Sequence, residues 1–203
     1  MLHYCGAQMA LELQNRVVEI VGDIYGGSID DSMPEWLMRP GRRECARRWL
    51  LVKRIYSELT GMGLPDDMPL RERRQVDAIL VKRSQPPRIL EVDEVQHFNA
   101  FRAATLRAYP RSVRLAFPRA AWIAHSEEKK RLEGGGFGKP RPPLFPGEGG
   151  RHRQRAFRDS LADILPPAHG WAPTLRIGDF EVEDWIFGPR ARSKMRALLA
   201  GRL

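Results

Sequence analysis

The chain has 203 residues, with 34 Lys and Arg against 25 Asp and Glu, so its net charge is +9 and its pI near 10.1. Its 42% hydrophobic content is enough for one buried core, and no apolar run approaches the roughly 18 residues of a membrane span; a single soluble, cytoplasmic domain over residues 1–203 with no membrane partner is expected. Two cysteines, Cys5 and Cys45, supply neither a disulfide framework nor a zinc cluster, and the five histidines lack paired ligand spacing.

In chain order, Met9, Leu13, Val17, Ile20, Val21 and Ile24 fall on one helical face that Gly26 and Gly27 stop. Cys45, Trp49, Val52, Tyr56 and Leu59 predict a helix from Arg42 to Thr60, ended by Gly61. Glu44 shares a second face of that helix with Leu51 and Ile55. It either reaches inward to a site or favours the positive helix end.

The next segment holds the chemistry. Val76–Val81 and Ile89–Val95 are aliphatic, β-branched runs, and the polar turn between them contains Pro86 and Pro87, which predicts an antiparallel hairpin. Strand alternation puts Glu91, Asp93 and Val95 on one face and Leu90, Val92 and Glu94 on the other. Asp77 precedes Glu91 by 13 intervening residues. With about seven of those in the turn, pairing sets it opposite the Glu91–Asp93 stretch. Carboxylates are costly to hold in a half-buried strand unless a cation compensates them. Either nearby Arg and Lys side chains do so as ordinary ion pairs, or the three acids converge on a hard divalent ion such as Mg²⁺. His97, four residues past Asp93, opens a predicted helix from Gln96 to Tyr109 with Phe98, Phe101 and Thr105 inside. It is either a packed residue or a general acid or base whose ordinary pKa suits neutral pH.

Ser112–Phe117 reads as a third strand. Residues 133–153 are rich in Gly, Pro and basic side chains and read as a flexible surface loop. The run Gly134–Pro140 fails as a phosphate loop because Pro140 replaces the required Ser or Thr. In the C-terminal extension, residues 154–203, a short helix spans Arg155–Leu165 with Phe157, Leu161 and Ile164 inside. Strands follow at Thr174–Ile177 and Phe180–Phe187, and a last helix over Arg190–Leu199 is expected to expose Arg190, Arg192, Lys194 and Arg196 along with Met195, Leu198 and Leu199, for contact with phosphate or a second subunit.

Val76-Asp77 and Glu91-Val92-Asp93 resemble the PD-(D/E)XK nuclease superfamily, whose core is a strand hairpin with an Asp on the first strand and an acid-x-Lys tripeptide on the second. With His97 following, the pattern is most similar to the very-short-patch-repair-like branch, where an E-x-D pair precedes a His. Val76 stands where the family has Pro, and Asp93 where it usually has Lys. The resemblance covers residues 44–117. It implies an α/β fold with a restriction-endonuclease-like core at about 42–125, a mixed central sheet flanked by helices, and N- and C-terminal additions. It also implies a Mg²⁺-dependent endonuclease, with Mn²⁺ as a substitute ion, that hydrolyses DNA phosphodiester bonds. Asp77 and Glu91 would hold the ion, Asp93 would be a further ligand or orient the attacking water, and His97 or Lys82 would assist proton transfer. Glu44 would reach the metal from a preceding helix. A type II restriction-like enzyme, as a possible homodimer, is the favoured setting. A repair or structure-specific nicking nuclease and a catalytically decayed nucleic-acid-binding module are the alternatives. The basic charge fits such a partner through phosphate contacts.

Overall fold

The computed structural model describes residues 2–70, 74–128 and 138–203, with side chains from residue 8 onward. Helix α1 runs Leu2–Tyr25, and strand β1, Ser28–Asp30, follows it after a turn. Two short helices, α2 at Glu35–Met38 and α3 at Arg42–Cys45, precede α4 at Trp49–Thr60. Strands β2, Ala78–Val81, and β3, Arg88–Asp93, form the expected hairpin. Then come α5 at Ala100–Ala108, α6 at Arg119–Glu128 and α7 at Gly150–Ile164. Strand β4, Leu175–Gly178, short helix α8, Asp179–Val182, and α9, Ala191–Leu199, complete the chain.

The result is an α/β fold around a four-stranded mixed sheet in the order β1-β2-β3-β4. β1, β2 and β3 are antiparallel neighbours, and β4 lies parallel to β3 with Glu91 beside Arg176 and Asp93 beside Gly178. One sheet face buries Leu90, Val92, Leu175 and Ile177 against Val17 and Val21 of α1 and Met195 and Leu199 of α9. The other carries Ile89 into a larger core with Tyr56 of α4, Leu106 of α5, Trp122 of α6 and Phe157 of α7. Burial of each such aliphatic or aromatic side chain contributes roughly 1.5–3 kcal/mol, so both faces drive assembly. The alternation along β3 therefore aims Ile89, Glu91 and Asp93 at the α4–α7 layer.

Several expected elements are corrected. The Arg42–Thr60 helix is interrupted at Ala46, whose φ of 44° no continuous helix accepts; a 3₁₀ turn over Ala46–Arg48 joins α3 to α4, and Gly61 ends α4 as expected. The helix after His97 begins later, because the Asn99 side chain accepts the Phe101 and Arg102 amides and caps α5; Val95–His97 form a 3₁₀ turn. Ser112–Phe117 contributes one isolated bridge, Ala116 to Leu175, so β4 takes the place beside β3 expected for a third strand. Phe180–Phe187 alternates like a strand, yet its buried Val182 and Ile186 are four apart, a helical period. Glu181 accepts the Gly178 amide and starts a helix there. The last helix packs Met195 and Leu199 against α1 instead of exposing them. Of the basic loop, residues 133–137 lie outside the described residues, including most of the Gly134–Pro140 run. Its described part is anchored: Arg141 and Phe145 pair through their backbones, Leu144 and Phe145 are buried, and a Cβ on Gly150 would come within 2.4 Å of the Phe145 carbonyl.

Candidate active site

A cleft of about 920 Å³ opens where the start of β2, the middle of β3 and the N-terminal half of α7 meet. Asp77, Glu91 and His97 all line it, together with Asp31, Asp159 and five arginines, Arg39, Arg74, Arg151, Arg155 and Arg158. Asp77 sits one residue before β2. Its Oδ2 accepts the Val92 amide at 2.6 Å and its Oδ1 accepts from the Gln14 amide group at 3.0 Å, which fixes the carboxyl across the hairpin from β3. Burial raises its pKa, against the Val92 hydrogen bond that lowers it.

Glu91 is only 6% exposed, with one cation, Arg74, at 3.2 Å from Oε1. Burial and then the nearby Asp77 charge push its carboxyl up to about 7. Arg74 is itself buried and also donates to the Arg158 carbonyl of α7, so its position is set by backbone as well as by Glu91. Two acids with raised pKa values thus share a cleft with five arginines, and the Asp77 charge adds to the burial that raises Glu91.

Asp93 is treated differently by the fold. Fully buried, it receives Trp122 Nε1 on Oδ2 at 2.7 Å and Arg176 Nη1 on Oδ1 at 2.5 Å. Arg176 of β4 is buried as well and extends the pairing to Asp163 at 2.7 Å and Asp159 at 3.6 Å, both from α7. Asp163 takes two further donors, Arg102 and the Tyr109 hydroxyl, each at 2.8 Å. This network ties β3, β4, α5 and α7 together beneath the cleft.

His97 bridges the two settings. Its ring Nδ1 lies 3.0 Å from Asp159 Oδ2 and 3.5 Å from Asp93 Oδ1, while the side chain keeps 17% exposure at the cleft. Burial disfavours the imidazolium, but the Asp159 and Asp93 carboxylates outweigh it and hold the pKa above its ordinary value. Asp159 pays the desolvation of burial too, yet His97 and Arg176 keep its carboxyl well below the usual carboxylate range.

The structure thus brings together Asp77, Glu91 and His97 and separates the other expected site residues. The expected convergence of Asp77, Glu91 and Asp93 is corrected to a pair, since Asp93 does not line the cleft and is ion-paired to the buried Arg176 beneath it. Among the described residues no group of three His, Cys, Asp or Glu is placed to hold a metal ion. Glu44 does not line the cleft: its Oε2 accepts the Gly41 amide at 2.9 Å and Oε1 meets Arg43 at 3.0 Å, so it caps α3. Lys82 does not line it either. Five residues along β2 from Asp77, about 16 Å at strand rise, its Nζ donates to the Tyr25 carbonyl and sits over the Tyr25 ring.

Asp159, Asp163, Arg176 and the α7 residues Arg155 and Arg158 were not expected at the site from the sequence, and Arg151 was expected only as a basic residue of the loop. The signal for Arg176 was present, because a charge between Leu175 and Ile177 in a strand needs a buried partner for the same reason as Glu91. Asp159 and Asp163 stand four apart, one helical turn, on a helix whose apolar face was already legible.

Compared with models of protein families, with curated proteins and with solved structures, the chain matches none of them. Among the described residues no helix is long and apolar enough to cross a membrane.

Proposed function

We propose that this protein is a divalent-metal-dependent endonuclease acting on DNA, with Asp77 and Glu91 as the residues that hold the ion. The observation that carries this reading is the Asp77–Glu91 pair itself, two carboxyls that line one cleft with five arginines and are both reluctant to ionise, Asp77 through burial and Glu91 through burial and the Asp77 charge. Such a pair suits a hard cation with few protein ligands, Mg²⁺ first and Mn²⁺ as substitute, the remaining positions falling to water and phosphate. Among the described residues Oε1 of Glu91 is engaged by Arg74, which leaves its Oε2 for a ligand, while each Asp77 oxygen accepts one hydrogen bond, from Gln14 or the Val92 amide, and keeps a lone pair for the ion. A bound divalent ion supplies charge neutralisation at the phosphate and makes water more acidic.

The chain's own residues account for the rest. Arg74, Arg151, Arg155 and Arg158 surround the phosphate position with positive charge, and arginine suits bidentate phosphate contacts. With Nδ1 of His97 committed to Asp159, Nε2 is the nitrogen left for proton exchange at the cleft. A raised pKa makes His97 a proton donor near neutrality, so its role is to protonate the leaving oxygen as the P–O bond breaks. Asp93 acts through position: it fixes Arg176 and approaches His97, and does not touch the ion. The sequence resemblance to PD-(D/E)XK nucleases supports the same chemistry, and a restriction-type role as a symmetric dimer remains its favoured setting.

A second reading is favoured by one observation, the commitment of Asp93 to Arg176, which leaves two acids where the resemblance implied three. In that reading the protein binds DNA without cutting it. Plasmid DNA incubated with purified protein separates the two. Nicking or linearisation in Mg²⁺ or Mn²⁺, lost in chelator and in Asp77→Ala and Glu91→Ala variants that still bind DNA, supports the nuclease. Retained binding with no cleavage in either metal supports the binding module.

A further inference from the structure

A second groove, about 760 Å³, lies beside the cleft and takes no part in the chemistry above. Arg42, Arg43, Arg47, Trp49 and Leu50 line it together with Asp66 and Asp67. Arg43 is 94% exposed at its side chain and Leu50 81% exposed. Among the described residues the groove arginines make two ion pairs, Arg42 to Asp66 at 3.2 Å and Arg43 to Glu44 at 3.0 Å; the first joins two exposed side chains, a kind of contact that contributes little and yields easily to another anion.

The two concavities share one wall. Met38 and Arg39 line the cleft while Arg42 and Arg43, three to four residues on, line the groove. The facing segment divides the same way, Leu70 to the cleft and Asp66 and Asp67 to the groove. Backbone pairing of the Arg42 amide with the Asp66 carbonyl at 2.7 Å, and of the Arg39 side chain with the Leu70 carbonyl at 3.3 Å, makes this wall a firm ridge. Three to four residues span at most about 10–14 Å of chain. Along one DNA strand that is about three to four nucleotide rises of 3.4 Å. Arginines on both sides of a ridge that narrow suit an anion with charge repeated along its length. Leu50 beside them offers an apolar contact for sugars, which a free phosphate lacks.

We propose that the groove holds the flank of the same DNA duplex whose reacting phosphate enters the cleft, so that the substrate is a polynucleotide extending several nucleotides past the cut and not a nucleotide or short oligomer. This rests on the reading of the cleft as a DNA site, but its test is made by binding alone.

The test measures the salt dependence of binding, by fluorescence anisotropy in chelator, for a 30-base-pair duplex and for a single-stranded tetramer. The proteins are the parent, Arg42→Gln/Arg43→Gln/Arg47→Gln, and Arg192→Gln on exposed α9 as a charge control. Each lost phosphate contact lowers the slope of log K against log salt by about 0.9. The triple variant is expected to lose about 2.7 in slope on the duplex, to bind the tetramer like the parent, and to keep the parent's thermal midpoint within a few degrees. Arg192→Gln is expected to change nothing. An unchanged duplex slope in the triple variant, an equal loss in Arg192→Gln, or an equal loss on the tetramer would each overturn the inference. Because no cleavage is read, absence of nuclease activity in the plasmid assay would sink the functional reading and leave this result standing.

Discussion

Glu91 and Asp93 occupy the same strand, face the same side and are both buried, yet the fold treats them as different chemical objects. Asp93 is enclosed by Arg176, Trp122 and His97, a surplus of donors and positive charge. Glu91 faces the Asp77 carboxyl across the hairpin and is ion-paired to Arg74, with Arg176 acting on it from the neighbouring strand; burial and the Asp77 charge outweigh both cations and push its carboxyl up to about 7. Burial alone does not distinguish a structural acid from one prepared for a ligand. The count of compensating partners does, and for Asp93 it is set by Trp122 of α6 and Arg176 of β4, 29 and 83 residues further along the chain.

The largest effect that sharpens this contrast is expected on the Asp93 side. Arg176→Met removes the shared partner of Asp93, Asp159 and Asp163 and leaves buried carboxylates uncompensated. Breaking one buried pair from one side costs about 3–5 kcal/mol, so urea denaturation should show at least that loss, or no folded protein. A loss under 1 kcal/mol would show that the network is not what holds β4 to α7.

An effect of somewhat smaller size is expected on the Glu91 side, with a distinct pH signature. Its folded pKa of about 7 exceeds the usual value of 4.5, so between those limits the folded state binds more protons than the unfolded. Stability contributed by the protonated carboxyl is therefore full below about pH 4.5 and is lost as pH rises through 7, on the order of 3 kcal/mol in all. Glu91→Gln should flatten that window. The His97 contribution, from a pKa raised above 6.5, is also lost with rising pH but only beyond 6.5, which separates the two. Asp159 has the opposite sign: its lowered pKa gives stability that is present above 3.8 and lost as pH falls below it. A parent protein whose stability is flat from pH 4.5 to 7 would contradict the assignment of Glu91.

The smallest effects concern residues the sequence placed at the site and the fold placed elsewhere. Glu44→Ala should cost about 1 kcal/mol, the worth of a helix cap, and Lys82→Met less. Neither should alter the rate of DNA cleavage. A rate loss of tenfold or more in either would restore it to the site.

These outcomes follow the division between what was legible in the sequence and what was not. The β2–β3 hairpin, the facing of Glu91 and Asp93, and the apolar faces of α1, α4 and α7 could be read because each depends on local periodicity. Glu44 was misplaced because Ala46 adopts a positive φ that no helical spacing reveals. Asp93 was misjudged because its partner, Arg176, lies 83 residues away, and β1 passed unnoticed because three exposed residues carry no burial pattern. Phe180–Phe187 was misread because its alternation and its four-residue spacing coexist, and the Gly178 cap decided between them.

The central claim is that Glu91, and not Asp93, is the acid on β3 available to a cation. Calorimetric titration of Mg²⁺ into the protein at pH 6.5, in two buffers of different ionisation enthalpy, measures both affinity and proton release. The account predicts that the parent binds Mg²⁺ and releases protons from the Asp77–Glu91 pair, that folded Asp93→Asn does the same, and that Glu91→Gln loses both binding and release. Undiminished binding with Glu91→Gln, or binding lost in a folded Asp93→Asn, would contradict it.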